Sequence, residues 1–155
     1  MTISLARMLD LTEPIHERAL EFALFLKPEH FVLSPGKGAR SVRSILVHVA
    51  DAEAHWVEGV IKGGAWEALD PADFPTGETV RDAWRRQRRS TRALLDQLGE
   101  SGLAQTRQVR WIEGFEPTLE HILWHVLMHE AHHRGQAMLV ARLVSGLDPP
   151  ETGLL

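Results

Sequence analysis

The sequence predicts an all-α four-helix bundle, and three observations carry the prediction. Four long segments repeat apolar residues at the three-and-four spacing of an amphipathic helix. Strand signals are few. Clusters of proline and glycine separate the segments, with no internal repeat, low-complexity tract or linker between domains. A chain of 155 residues is long enough to bury its own core as a single domain, 1–155.

The first helical region is 1–26. Thr12 reads as an N-cap, with Glu13 and Pro14 in the first turn, where proline is tolerated. Ile15, Ala19, Phe22 and Leu26 then recur at helical spacing, and Ile3 to Leu9 reads as a short preceding turn or helix. Residues 27–40 read as a loop, punctuated by Pro28, Pro35, Gly36 and Gly38. The second helix spans 41–62, capped by Ser41 or Ser44 and stopped by Gly63 and Gly64, with Ile45, Val49, Ala52 and Trp56 on its apolar face. Residues 65–77 form a loop whose Trp66 and Phe74 are expected to pack down as a lid over one end of the bundle.

The third helix spans 79–98. Thr79 with Asp82 is a weak capping-box match, and Trp84, Gln87, Thr91, Leu94, Leu95 and Leu98 form its inward stripe. Residues 99–117 are mostly non-helical, and alternation over 106–112 allows a short strand or hairpin before the last helix. The fourth helix spans 118–144, from the N-cap Thr118 to the stop at Gly146, and 147–155 form a tail.

Composition removes several classes of function. At 44% hydrophobic and 25% charged residues the balance is that of an ordinary soluble protein. The absence of cysteine excludes disulfides, a cysteine nucleophile, a zinc ribbon and thiolate-held iron–sulfur centres. A net charge of −4 gives no support to nucleic-acid binding. No apolar run approaches the roughly 18 residues of a membrane span. No cationic start leads into an apolar stretch, so a cytoplasmic location is expected. The chain has nine histidines and no tyrosine, and five of the nine lie between 121 and 133.

That cluster carries the chemistry. At about 100° per residue, Ile122, Val126, His129, His133, Gln136, Val140 and Leu143 share one stripe of the fourth helix, expected to be its buried one. His129 and His133 sit in it one turn apart, a rise of about 6 Å. Two imidazoles at that spacing chelate a single metal ion, and burial keeps them in the neutral, ligating form. His48 shares the inward face of the second helix with Ile45, Ala52 and Trp56, so an antiparallel partner brings it opposite the pair. Three imidazoles leave coordination positions open, the pattern of a catalytic site. His121, His125 and His132 lie off the stripe and suit solvent, interface or supporting roles.

Other residues invite roles around that site. His55, two turns after His48, is a candidate to line the pocket or act as acid or base. Gln136 is placed to hydrogen-bond a ligand imidazole, and Glu130 and Glu53 to orient imidazole N–H groups. Trp56 and Trp124 are candidate walls. Gly135, unfavourable inside a helix, suggests a close helix contact. His129-Glu130-Ala131-His132-His133 also spells H-E-x-x-H, in which Glu130 would be the general base of a zinc peptidase. No histidine follows His133, and the acidic residues beyond it are Asp148 and Glu151 in the tail, so the context opposes that reading. Arg81, Arg85, Arg88 and Arg92 form a cationic row on the third helix, either a docking surface for an acidic cofactor or a solvated face paired with carboxylates elsewhere.

The segments LWHVLMHEAHHRGQ and SVRSILVHVADAEAHW together resemble the DinB/YfiT-like family. The resemblance extends over nearly the whole chain, through bundle length, loop order, the mid-helix histidine and the terminal H-x-x-x-H-R-G-Q. It implies a cytoplasmic bacterial four-helix bundle with a three-histidine metal site, which by position falls on His48, His129 and His133. The implied metals are zinc or nickel, and the implied assembly is a homodimer. The implied chemistry is that of thiol-dependent transferases and isomerases, in which the metal activates a low-molecular-weight thiol toward a small-molecule substrate. A non-catalytic metal-binding or sensor bundle is the alternative.

Overall fold

A computed structural model describes residues 4–150. In chain order the helices are α1 (Leu5–Leu24), a short α2 (Pro28–Val32), α3 (Val42–Ala54), α4 (Gly77–Gly102) and α5 (Leu119–Ser145). The four long helices pack as a square. α3 lies against α4 and α5, α1 lies against the same two, and each pair faces across a diagonal. No helix among the described residues is long and apolar enough to cross a membrane.

Several element boundaries differ from expectation. α1 is continuous across the expected break: Ser4 caps it by accepting from the Arg7 N–H, and Pro14 lies in its interior. Thr12 is therefore not an N-cap, and its Oγ1 donates to the Met8 carbonyl at 2.9 Å. Burial of Leu5, Leu9, Ile15, Ala19 and Leu20 along one stripe offsets the hydrogen bond that Pro14 removes. The loop expected at 27–40 begins with the one-turn helix α2, with Pro28 in its first turn and Phe31 buried in the core. The first three and last five residues lie outside the described part, along with the expectations placed on them.

The second predicted helix is helical throughout, but its final stretch, His55–Ile61, is a π-helix. Lys62 N–H reaches back five residues to the Val57 carbonyl, and Gly63 (φ +68°) then turns the chain away. Thr76, three residues before the expected cap, starts α4 through a reciprocal capping box with Thr79. Between α4 and α5 the expected hairpin is a hairpin-shaped loop without strands. It holds a single Thr106–Thr118 bridge, with Arg107 N–H on the Pro117 carbonyl and Val109 N–H on Phe115. Thr118 caps α5, and left-handed Gly146 (φ +71°) ends it, both as predicted.

The interior has two apolar clusters. One contains Ala19, Leu20, Phe31, Leu46, Val49, Trp84, Met138 and Ala141, and the other contains Leu5, Leu9, Val57, Leu94, Ile122, Leu123 and Leu127. On each long helix a buried polar residue falls between the positions that belong to the two clusters: His16, Glu53, Arg88 and Glu130. Arg88, 1% exposed, donates to both oxygens of Glu53 at 3.0 and 2.9 Å and also pairs with Glu130. Thr91 Oγ1 donates to Glu53 at 2.6 Å, and Arg134 donates to Glu130 at 3.3 Å. Burial works against charge on Arg88, but Glu53 and Glu130 outweigh it and raise its pKa. Burial also raises the Glu53 carboxyl, with Arg88 pulling the other way. His16 stacks on Trp84 with ring centroids 4.5 Å apart, and burial, then Arg88 and Arg134, drives its pKa well below the ordinary value.

Candidate metal centre

The seam between α3 and α5 brings His48, His129 and His133 together. One ring nitrogen from each can be chosen so that all three lie within 4.8 Å of one another. The ring centroids are 4.9 Å (His48–His129), 4.8 Å (His48–His133) and 4.3 Å (His129–His133) apart, and all three pairs meet edge to face. In a triangle with sides no longer than 4.8 Å, a central ion is at most about 2.8 Å from each nitrogen. Side-chain movement of under about an ångström reaches the usual metal–imidazole distance of about 2.0–2.1 Å. The donor set therefore fits a borderline divalent cation.

The electrostatics suit ligation as well. Burial, then the neighbouring His133 and His48 rings, holds His129 down at about 4. Burial, then Arg40 and His133, lowers His48. Burial also lowers His133, against the opposing hydrogen bond that it donates to Gln136. All three rings are therefore neutral near pH 7, which is the form that binds metal. His133 Nδ1 lies 2.7 Å from Gln136 Oε1. An amide oxygen only accepts, so Nδ1 carries the proton and Nε2 keeps its lone pair. The Gln136 amide nitrogen in turn meets His132 Nε2 at 2.9 Å.

Half-burial of the three rings corrects one expectation. The stripe through His129 and His133 edges the buried face of α5 instead of forming its centre: Gln136 and Leu143 are exposed. The centre of that face is Leu119, Leu123, Leu127, Glu130, Arg134, Ala137 and Ala141. Glu130 and Arg134 looked polar in sequence, yet they lie inward because they pair with each other and Glu130 also pairs with Arg88 from α4. Two large openings flank His48. One, of about 490 Å³, is lined by Arg40, His48, His133, Gln136 and Leu139. The other, of about 330 Å³, is lined by Arg40, Ser44, His48, Asp51 and Leu69.

The remaining candidates scatter. Glu130 and Glu53 do not orient the ligand imidazoles, because both are committed to Arg88 in the bundle interior. This also removes the general base that the H-E-x-x-H reading requires. His55 packs among Trp66, Trp111 and Trp56, with centroids at 4.3, 4.8 and 5.7 Å, beside a separate opening of about 540 Å³. Trp56 approaches the site indirectly: its ring is 5.2 Å from His125, which is 5.9 Å from His129. Trp124 packs against the apolar cluster that contains Leu5, Leu9 and Leu123.

Most of the arginine row consists of interhelical struts. Arg85 bonds both oxygens of Glu17 at 2.7 and 2.8 Å, and Arg92 bonds Glu13 and Asp10 at 2.6 and 3.0 Å. Arg88 is buried, a position that neither reading of the row anticipated. Arg81 Nε has no hydrogen-bond partner among the described residues. His16 was absent from the candidate residues, although the spacing Leu5, Leu9, Thr12, His16, Ala19 marks it as inward once α1 runs through Thr12.

A helical bundle with three neutral imidazoles converging from two neighbouring helices defines a class of candidate metal-binding proteins. The chain belongs to the DinB family, whose family model matches residues 4–155. It is 29% identical over 105 residues to the uncharacterized protein YizA of Bacillus subtilis, covering 68% of this chain and 65% of that protein. The match thus spans just under two thirds of that relative's length. Among solved structures, a conserved protein from Enterococcus faecalis superposes with a TM-score of 0.75 at 16% identity, covering 95% of this chain and 100% of that one. A DinB-like protein from Bacillus cereus gives 0.73 at 19% identity, covering 97% and 99%. At these identities the two structures speak for the fold.

Proposed function

We propose that this chain is a divalent-metal-dependent enzyme, a thiol-dependent S-transferase or related hydrolase of a small molecule, centred on His48, His129 and His133. One observation carries the reading: three neutral imidazoles from two helices converge beside large openings, and no carboxylate or thiolate belongs to the cluster among the described residues. A structural zinc site is closed by four protein ligands, whereas an open site admits substrate. A bound zinc or nickel ion would lower the pKa of a ligated thiol or water and so supply a nucleophile near neutral pH. The chain has no cysteine, so the thiol comes from a small molecule. Gln136 fixes the tautomer of His133 and therefore which of its nitrogens binds. The same reading places the protein in the cytoplasm as a homodimer, with the exposed Met128, Leu139 and Leu143 along α5 as the contact stripe.

A metal-binding bundle without catalysis is the second reading. It is favoured by one specific feature: the two glutamates that the sequence offered to the site, Glu53 and Glu130, are locked to Arg88 and cannot serve as bases. Elemental analysis of protein purified without chelator, followed by zinc and nickel titration, tests the shared part. About one equivalent of metal per chain is expected, with a rise in Tm on loading. Failure of both ions to bind would remove both readings. Metal-dependent addition of a low-molecular-weight thiol to an electrophile then separates the enzyme from the passive bundle.

A further inference from the structure

Arg40 stands just before the N-cap of α3, and it lines one opening together with Ser44 and His48 of that helix. It lines both openings beside the histidine cluster: the one shared with His133 and Gln136, and the one shared with Ser44 and Asp51. No ion pair or hydrogen bond occupies its guanidinium among the described residues. This contrasts with Arg85, Arg88 and Arg92, each of which meets a carboxylate of its own chain.

The charge balance at the site is one-sided. Three neutral imidazoles contribute no negative charge, so a divalent cation among them keeps its full +2. Among the described residues, the only carboxylate lining either opening is Asp51, whose Oδ1 accepts the Leu69 N–H at 2.9 Å. Arg40 adds a further cation beside two of the three ligands, lining one opening with His48 and His133 and the other with His48. A site with this excess favours ligands that bring negative charge, and a guanidinium beside it offers forked donors to a carboxylate, sulfonate or phosphate.

Resting on the proposed function, we infer that Arg40 is a specificity-determining residue: it selects small anionic ligands for the three-histidine site by pairing with an acid group remote from the metal-binding atom. The ligand class is a small thiol, or another metal-binding molecule, that carries a carboxylate, sulfonate or phosphate within reach of the α3 N-terminus. Neutral ligands of the same length bind through the metal alone.

The test uses the full-length protein loaded with Co²⁺ and two thiols of equal length, 3-mercaptopropane-1-sulfonate and 3-mercaptopropan-1-ol. The readout is the thiolate-to-cobalt charge-transfer absorption. The sulfonate is expected to bind about fivefold more tightly than the alcohol, the upper size of an exposed ion pair, and added salt is expected to shrink that ratio. Arg40→Ala should bring the ratio to about one with cobalt still bound, while Arg40→Lys retains part of it. Equal affinities in the wild type, or a preference that persists in Arg40→Ala, would overturn the role of Arg40 and leave the metal reading standing. Failure of the wild type to bind cobalt, or to show a thiolate band with either thiol, would overturn both.

Discussion

Replacing Arg88 by methionine tests the logic of the interior most directly. Methionine keeps most of the side-chain volume but removes the charge and its donors. Arg88 is 1% exposed, donates twice to Glu53 and pairs with Glu130. Its loss leaves two carboxylates on neighbouring helices, with Thr91 still donating to one and Arg134 to the other. Removing one partner from a buried ion pair typically costs about 3–5 kcal/mol, because the other charge stays buried and unpaired. A domain of this size has about 5–15 kcal/mol in all, so Arg88→Met should bring the fold near its limit. Urea unfolding followed by far-ultraviolet circular dichroism, with wild type and variant compared at pH 7, gives the loss directly. Adding Glu53→Gln and Glu130→Gln to Arg88→Met should recover much of it, since the stranded charges go with them. Arg85→Met, which breaks only a partly exposed pair with Glu17, should cost no more than about 1 kcal/mol. Equal losses for Arg88→Met and Arg85→Met would refute the argument that the central network holds matched, desolvated charges.

Other consequences are as direct. His48→Ala, His129→Ala and His133→Ala should each lose most bound zinc in equilibrium dialysis, whereas His121→Ala keeps it. Full retention by His48→Ala would end the case for an interhelical site. Gln136→Ala should weaken zinc binding by about tenfold, the low end for loss of a residue that supports a ligand, with the apoprotein's stability little changed. For the metal-free protein the pH dependence follows from the depressed histidines. His129 is held at about 4 and His48, His133 and His16 are also lowered, so between about 6.5 and 4 the unfolded chain binds protons that the folded chain refuses. Stability should thus be greatest above about pH 6.5 and fall as the pH drops through that window, and a Tm that rises on acidification would contradict the assignment. Gly135→Ala should stabilise the monomer by about 0.5–1 kcal/mol, because a Cβ there meets nothing within 4 Å. Destabilisation measured by chemical denaturation would show that a second chain packs against that face.

The expected close helix contact at Gly135 illustrates where sequence reading stopped: a helix-breaking residue signals that something permits it, not what lies beside it. The bundle itself was legible because each long helix repeats its apolar residues at 3.6-residue spacing over several turns. Short-range chemistry was legible too, as with the Thr118 cap and the Gly146 stop. The His129–His133 pair was legible because the geometry of one helix fixes it. What neighbouring helices decide was not. His48 becomes a third member of the cluster only because α3 lies against α5, a pairing that its inward face on the second helix suggested and the family resemblance also implied, but that no single helix fixes. Pro14 and Thr12 looked like a helix start because local preference favours them there, yet tertiary burial on both sides carries α1 straight through. Arg88 read as part of a cationic row, and Glu53 and Glu130 as supports for the imidazoles, because no single helix contains their partners. The sequence by itself determined which segments coil and which faces are apolar, since those depend on neighbours three and four residues apart. Only the tertiary structure decided which charges are buried, because burying a charge is tolerable only where another helix supplies its opposite.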